Sequence, residues 1–160
     1  MPLLTPLAFK EALSSSGRLL GLDLGEKTIG LALSDTRRTI ATPRQTLHRT
    51  TFKGNLRQIV ALMEIENIQG IVLGLPLNMN GTEGPRCQST RQFAKNFLSL
   101  HDVLLTLWDE RLSTKAADDA LLHFDLSRKK RAAHIDKTAA SFMLQGFLDF
   151  LNGSLIPLHC

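Results

Sequence analysis

The stretch "RLLGLDLGEKTIGLALSD", Arg18–Asp35, decides the fold because it reads as two buried strands joined by the turn "GEK", which predicts an antiparallel hairpin. Side chains alternate along a strand, so three leucines share one face of the first strand: Leu20, Leu22 and Leu24. Asp23 lies on the other face, where a carboxylate without a partner is costly or takes up a proton. A metal ion could compensate the charge of Asp23. In the other interpretation, Asp23 caps the turn or forms an ion pair with Lys27.

After the hairpin, the sequence pattern alternates between strands and helices. A third short strand near "TIATPRQTL" should end at Pro43, which lacks a backbone donor. Apolar spacing then predicts the helix "NLRQIVALMEIEN", the strand "IQGIVLGLP", a helix over Cys87–Leu100, the strand "DVLLTLWDE", and the helices "STKAADDALLHF" and "IDKTAASFMLQGFLDFL". Strands separated by helices pair in parallel, so we expect an α/β fold with a mixed sheet.

Length and composition favour a single globular domain of 160 residues, with 43% apolar and 21% charged residues. No apolar run reaches the roughly 18 residues of a membrane span, and Pro2 and Pro6 make the first residues a poor signal peptide, so we expect a cytoplasmic protein. Cys87 and Cys160 have no partner at ligand spacing and are predicted to be free thiols. The net charge of +4 favours a polyanionic partner only weakly.

Two further acidic positions resemble Asp23 in their placement. Asp109 and Glu110 are neighbours at a strand end, so only one of them can face Asp23; an ordinary acidic turn is the alternative. Asp136 begins the last helix on its apolar side, where an N-cap role is the alternative. Ligands of open α/β sheets bind outside the carboxyl ends of the strands. Oxygen ligands from three separate elements would form a site suited to Mg or Mn.

Basic residues occur in two places that could contact phosphates. The loop "LNMNGTEGPR", residues 77–86, contains Gly81 and Gly84, which permit close backbone approach, and Arg86, which offers a guanidinium fork. The cluster Lys129, Lys130 and Arg131 precedes the helix that begins near Asp136. In both cases the alternative is an ordinary solvated surface. Trp108 follows core spacing and is not expected to stack on bases.

Four motifs, "LDLGEKTIGLALSD", "GLPLNMNGTEGPRCQS", "DERLST" and "HIDKTAA", resemble in that order those of the bacterial YqgF/RuvX family, whose members are described as Holliday junction resolvases and as pre-16S rRNA nucleases. The resemblance covers roughly Gly17–Leu151. It implies a ribonuclease H-like α/β fold, with a mixed central sheet of about five strands flanked by helices. It also implies that Asp23, Glu110 and Asp136 are the catalytic, metal-binding acids. Where the family often has a basic residue after the turn lysine, this chain has Thr28, so Lys27 is the candidate for that phosphate contact.

The resemblance implies a metal-dependent nuclease, a hydrolase acting on ester bonds, with two Mg or Mn ions. Its first expected substrate is the 5′ end of pre-16S rRNA, in ribosome biogenesis. The alternatives are a Holliday junction resolvase in DNA recombination and repair, which would require a homodimer, and a non-catalytic RNA- or ribosome-binding module. The expected nucleic-acid-binding residues are Lys27, Asn80, Arg86, Arg111, Lys129, Lys130 and Arg131. The expected organisation is a flexible lead-in over 1–16, a nuclease domain over 17–152 and a tail over 153–160.

Overall fold

A five-stranded mixed sheet forms the centre of the computed structural model, which describes residues 2–112 and 138–153. The strands are β1 (Arg18–Leu24), β2 (Thr28–Ser34), β3 (Ala41–His48), β4 (Ile68–Leu75) and β5 (Leu104–Asp109). The helices are α1 (Pro6–Ala12), α2 (Phe52–Glu66), α3 (Pro85–Leu100), the 3-10 helix Glu110–Leu112, and α4 (Ala139–Leu151). The predicted helix "STKAADDALLHF" lies outside the described residues.

The sheet has the order β3-β2-β1-β4-β5. The hairpin strands β1 and β2 are antiparallel, as are β2 and β3, whereas β1 pairs in parallel with β4, and β4 with β5. These pairings confirm the predicted hairpin and the mixed sheet. Because β1, β4 and β5 run in the same direction, their carboxyl ends lie at one edge of the sheet.

Two apolar layers cover the sheet and confirm the alternation predicted for β1. Leu20, Leu22 and Leu24 pack in the core that includes Ile59 of α2 and Phe97 of α3. The opposite face packs against α4 and α1, and Trp108 is buried there with an exposed fraction of 1%. Asp23 lies on this second face, because its Cβ and the Cβ of Ala140 in α4 both approach Gly30.

The prediction that the third strand ends at Pro43 is wrong. β3 continues to His48, and Pro43 pairs with Ala32 of β2 at a point where the register of the two strands shifts. β3 is an edge strand, so the missing backbone donor of Pro43 interrupts no pairing on its outer side. The longer strand brings the following residue, Arg49, to the same edge of the sheet as the β1–β2 turn.

The helix ends follow from local chemistry. The Thr51 hydroxyl accepts a hydrogen bond from the Gly54 amide at the start of α2, and Pro85 begins α3 where no amide donor is needed. Within the predicted lead-in, α1 buries Phe9 against Phe147 of α4; the flexibility of that segment stays a prediction. None of the helices in the described ranges has the length and apolar character that a bilayer crossing requires.

Candidate active site at the carboxyl edge of the sheet

Asp23 and Glu110 meet at the edge where the parallel strands end. Asp23 is the penultimate residue of β1, and it pairs with Gly30 of the neighbouring strand. Asp109, at the end of β5, pairs with Leu75 at the end of β4, and Glu110 follows directly in the 3-10 helix. The parallel pairing of the strands therefore delivers two carboxyl groups from distant parts of the sequence to one place.

The two carboxyl groups are hydrogen-bonded to each other. The pKa of Glu110 is raised from 4.5 to about 8 by burial, by the hydrogen bond to Asp23 and by the negative charge of Asp23, while the positive charge of Arg86 acts in the opposite direction. The raised pKa favours the protonated form of Glu110 beside Asp23. Among the described residues no ion pair joins Asp23 to Lys27, so the ion-pair interpretation of Asp23 has no support there.

Asp109 is turned away from this pair and serves a different contact. Its carboxylate accepts hydrogen bonds from the Arg111 amide at 2.9 Å and from the Arg111 guanidinium Nη2 at 2.7 Å. The side chains of Asp109 and Glu110 thus point in different directions, as the sequence requires. The structure brings Glu110, not Asp109, to Asp23.

Gly74 of β4 provides the space in which the Glu110 carboxyl group lies. A Cβ atom built on Gly74 would stand 2.5 Å from Oε1 of Glu110, closer than real Cβ contacts allow. The sequence analysis did not single out Gly74. A glycine inside the β-branched run "IQGIVLGLP" was the available signal, because such a glycine often marks close approach of another group.

Two guanidinium groups bind successive carbonyls at the end of β1, one residue beyond Asp23. Arg86 Nη2 donates to the Leu24 carbonyl at 3.1 Å, and Arg49 Nη1 donates to the Gly25 carbonyl at 2.8 Å. A guanidinium has five N–H donors, so each group retains donors beyond the one that binds its carbonyl. Arg86 was predicted from the sequence as a phosphate contact. Arg49 was not, because a strand that stopped at Pro43 would leave Arg49 away from this edge of the sheet.

Lys27 is exposed in the turn between β1 and β2. The Lys27 carbonyl accepts a hydrogen bond from the Arg49 amide at 2.8 Å, so this turn is fixed by the end of β3. Thr28 faces His48 in the β2–β3 register. Arg49 therefore supplies a cation close to Thr28 and Lys27.

The loop 77–86 is held by hydrogen bonds within itself. Asn80 Oδ1 accepts from the Thr82 amide at 3.1 Å and from its hydroxyl at 2.6 Å, and the Gly81 amide donates to the Asn78 carbonyl at 2.9 Å. Gly81 has φ of 86°, a left-handed conformation that favours glycine. Arg111 Nη1 donates to the Met79 carbonyl at 3.2 Å. The loop is thereby tied to the turn that carries Glu110.

An open cleft of about 610 Å³ lies beside Glu110 and Arg86. Its lining residues come from the loop, the start of α3 and the 3-10 helix: Pro76, Leu77, Asn78, Met79, Gly84, Pro85, Arg86, Glu110 and Arg111. Asn80 lines a neighbouring cavity beside Asp109 instead. Of the predicted site residues, the structure brings together Asp23, Glu110 and Arg86, with Arg111 beside them and Lys27 at the turn.

The remaining predicted site residues, Asp136, Lys129, Lys130 and Arg131, lie outside the described residues. The N-cap of α4 is Thr138, whose hydroxyl accepts from the Ser141 amide at 3.2 Å, so the capping role considered for Asp136 belongs to Thr138. Within residues 2–112 and 138–153, no three side chains of the metal-binding types come together.

Comparison with known proteins identifies the family. A family model described as "RuvX: Holliday junction resolvase" matches residues 17–150. A "Putative pre-16S rRNA nuclease" of Paramagnetospirillum magneticum is 53% identical over 153 residues, covering 96% of this chain and 99% of that protein. A protein of the same description from Ruegeria pomeroyi is 54% identical over 143 residues, covering 89% of this chain and 93% of its own length.

Solved structures show the same fold at low sequence identity. Thermus thermophilus RuvC in complex with a Holliday junction substrate has a TM-score of 0.52 at 12% identity, covering 86% of this chain and 97% of that one. The yeast mitochondrial Holliday junction resolvase Ydc2 has a TM-score of 0.51 at 12% identity, covering 92% of this chain and 84% of that one. The fold is therefore ribonuclease H-like, and the match over residues 17–150 shows that the chain belongs to the RuvX family.

Proposed function

We propose that this chain is a nuclease that hydrolyses phosphodiester bonds with the help of divalent cations, at the edge where Asp23 and Glu110 meet. The observation that carries this proposal is the hydrogen-bonded pair itself. The carboxyl groups of Asp23 and Glu110 are in direct contact, and Glu110 lines a cleft together with Arg86 and Arg111. Such a pair is unfavourable when both members ionise, and a divalent cation bound by both carboxylates would offset their repulsion.

The residues present fit a hard divalent cation. Protonation of Glu110 offsets negative charge at the site, and a bound divalent cation would offset the same charge. Carboxylate oxygens are the ligands that Mg and Mn prefer. Asp23 and Glu110 would hold the ions, and Asp136 is proposed as the third ligand. Asp136 stands two residues before Thr138, the N-cap of α4, and Ala140 of that helix lies near Gly30 and Asp23. When bound, such ions activate water and shield the charge that develops on the phosphate.

The chain's own side chains would position the substrate. Arg86 and Arg49, on successive carbonyls beside Asp23, would bind phosphate oxygens on either side of the scissile bond. Lys27 would add a third charge from the turn, and Arg111 would hold the loop. Asn80 braces that loop, and its contact with nucleic acid remains a prediction. Lys129, Lys130 and Arg131 would extend the basic path and bind the backbone without sequence preference.

The proposed substrate is the precursor of 16S rRNA, as in the descriptions of the relatives that are about half identical to this chain. Processing of that precursor would place the protein in the cytoplasm. The family description favours a second candidate, cleavage of Holliday junctions, which requires a homodimer that presents two sites to two strands.

A side-by-side cleavage assay tests the proposal and separates the candidates. The purified chain would be incubated with an end-labelled pre-16S rRNA fragment and with a four-way DNA junction, each with Mg, with Mn and with EDTA. We expect metal-dependent cleavage of the RNA. Symmetric cutting of the junction alone would support the resolvase. Binding of RNA without any cleavage would contradict the proposal and favour a non-catalytic RNA-binding module.

A further inference from the structure

Met79 is the most exposed of the large apolar side chains in the described part of the chain, with an exposed fraction of 91%. It lies in the loop 77–86 and lines the cleft together with Glu110 and Arg86. A single exposed apolar residue is ordinary on a protein surface. This one, however, stands at the rim of the candidate active site.

The backbone beneath Met79 is fixed on both sides. Its carbonyl accepts from the Arg111 guanidinium at 3.2 Å, and that guanidinium is held by Asp109. On the loop's other side, the Asn78 amide donates to the Thr82 carbonyl at 2.9 Å. The loop therefore presents the Met79 side chain from a braced backbone that is joined to the turn of Glu110.

The cleft combines two kinds of contact. Arg86 supplies charge for the phosphates, and contacts to phosphates position a strand without reading its bases. Met79 supplies an apolar, polarizable group, and a thioether makes favourable contacts with aromatic rings. Apolar side chains, methionine among them, insert between bases in several classes of nucleic-acid-binding proteins.

We propose that Met79 packs against the base of a nucleotide adjacent to the scissile phosphate and holds that nucleotide out of its stack. This inference rests on the proposed function, since it requires a nucleic-acid strand in the cleft. Met79 is a positioning residue: it fixes the strand relative to Asp23 and Glu110 and takes no part in the bond cleavage.

The test measures binding of a single-stranded fragment of the rRNA precursor, and of the same fragment with one abasic position scanned along it, in a Glu110→Gln background that leaves the RNA intact. Met79→Ala should weaken binding of the complete fragment by about two- to tenfold. It should have no effect on the fragment whose abasic position coincides with the contacted nucleotide. Met79→Leu should restore most of the affinity.

Ile65→Ala is the matched control, because Ile65 is also exposed, with a fraction of 76%, but belongs to α2 and is absent from the cleft. A second readout is the salt dependence of binding. Met79 carries no charge, so Met79→Ala should leave the salt slope unchanged, whereas loss of a phosphate contact would reduce it. In the chain with Glu110 intact, Met79→Ala should raise KM more than it lowers kcat.

Several results would overturn the inference. Equal affinities of parent and Met79→Ala for the complete fragment would show that Met79 does not contact the RNA. If Met79→Ala weakens binding of the complete and abasic fragments equally, then Met79 supports the shape of the loop and does not contact a base. If the chain with Glu110 intact neither binds nor cleaves the fragment, the proposed function fails and the inference fails with it. If that chain cleaves the fragment and Met79→Ala changes neither binding nor KM, only the present inference fails.

Discussion

The carboxyl group of Glu110, which follows β5, is hydrogen-bonded to that of Asp23 in the central strand β1, and this contact helps to raise the pKa of Glu110. Two consequences follow from this contact. The pair is sensitive to pH in a range where ordinary carboxyl groups are fully ionised. It also concentrates negative charge at the cleft as soon as the proton leaves, which is the condition under which a divalent cation binds.

Replacement of the two neighbouring acids should separate catalysis from loop support. Glu110→Gln keeps the shape of the side chain but removes an ionisable ligand, so the cleavage rate should fall by about a hundredfold or more. Asp109→Asn weakens the contact to Arg111 but leaves the Glu110–Asp23 pair, so its rate should fall much less. The measurement is single-turnover cleavage with circular dichroism as a check of folding. A larger loss in Asp109→Asn would mean that the two roles are reversed.

Stability should depend on pH through Glu110. Its pKa is about 8 in the folded chain against 4.5 for the unfolded group, so the folded state holds the proton more tightly. The free energy of unfolding should therefore decline as the pH rises from about 4.5 to about 8 and level off above that range.

Urea unfolding of the parent and Glu110→Gln, without divalent cations and across that pH range, measures this effect. The variant has no carboxyl group to ionise at position 110, so its stability relative to the parent should increase with pH. If the difference between the two proteins is independent of pH, then Glu110 ionises normally in the folded chain.

Gly74→Ala should disturb the active site while sparing the fold. The added Cβ would collide with the Glu110 carboxyl group, which must then move from Asp23. A displacement of about 1 Å can cost roughly a hundredfold in rate. Gly30→Ala is the matched control, because its Cβ would meet Ala140 and Asp23 at ordinary contact distances of 3.5 and 3.8 Å. Equal activities of Gly74→Ala and the parent would show that the carboxyl group has no fixed catalytic position.

Divalent cations should stabilise the folded chain. A cation that binds only the folded state adds about 2.7 kcal/mol at a hundredfold excess over Kd. Asp23→Asn removes one ligand and, above the raised pKa of Glu110, one repelling charge. At such a pH in EDTA the variant should therefore melt no lower than the parent, while its response to Mn should shrink. Thermal melts of both proteins in EDTA and in Mn measure this. A variant that melts well below the parent in EDTA would identify Asp23 as a structural acid.

Much of the fold was predictable because its determinants are local. The hairpin of β1 and β2 follows from strict alternation around "GEK", and the buried strands follow from β-branched runs. The passage of β3 through Pro43 was not predictable, because it depends on β3 being an edge strand, and edge position is a property of the whole sheet.

The candidate site also contains residues that were predictable from local sequence and residues that were not. Asp23 and the acidic pair at the end of β5 stood out as polar residues in apolar strands. The choice between Asp109 and Glu110 required either the family resemblance or the observed Asp109–Arg111 ion pair. Gly74 and Arg49 escaped notice because their importance arises from contacts between β4 and the 3-10 helix and between β3 and the β1–β2 turn. Such contacts depend on strand register, which local sequence does not specify.

The central claim is that the Asp23–Glu110 pair is the centre of a metal-dependent nuclease, and the most direct measurement compares the parent with Asp23→Asn in cleavage of the pre-16S rRNA fragment. Binding of the RNA is measured in parallel for both proteins. The account predicts that the parent cleaves the fragment with Mg or Mn, and that Asp23→Asn binds the fragment but leaves it intact. Cleavage by Asp23→Asn at the parent's rate would contradict the account.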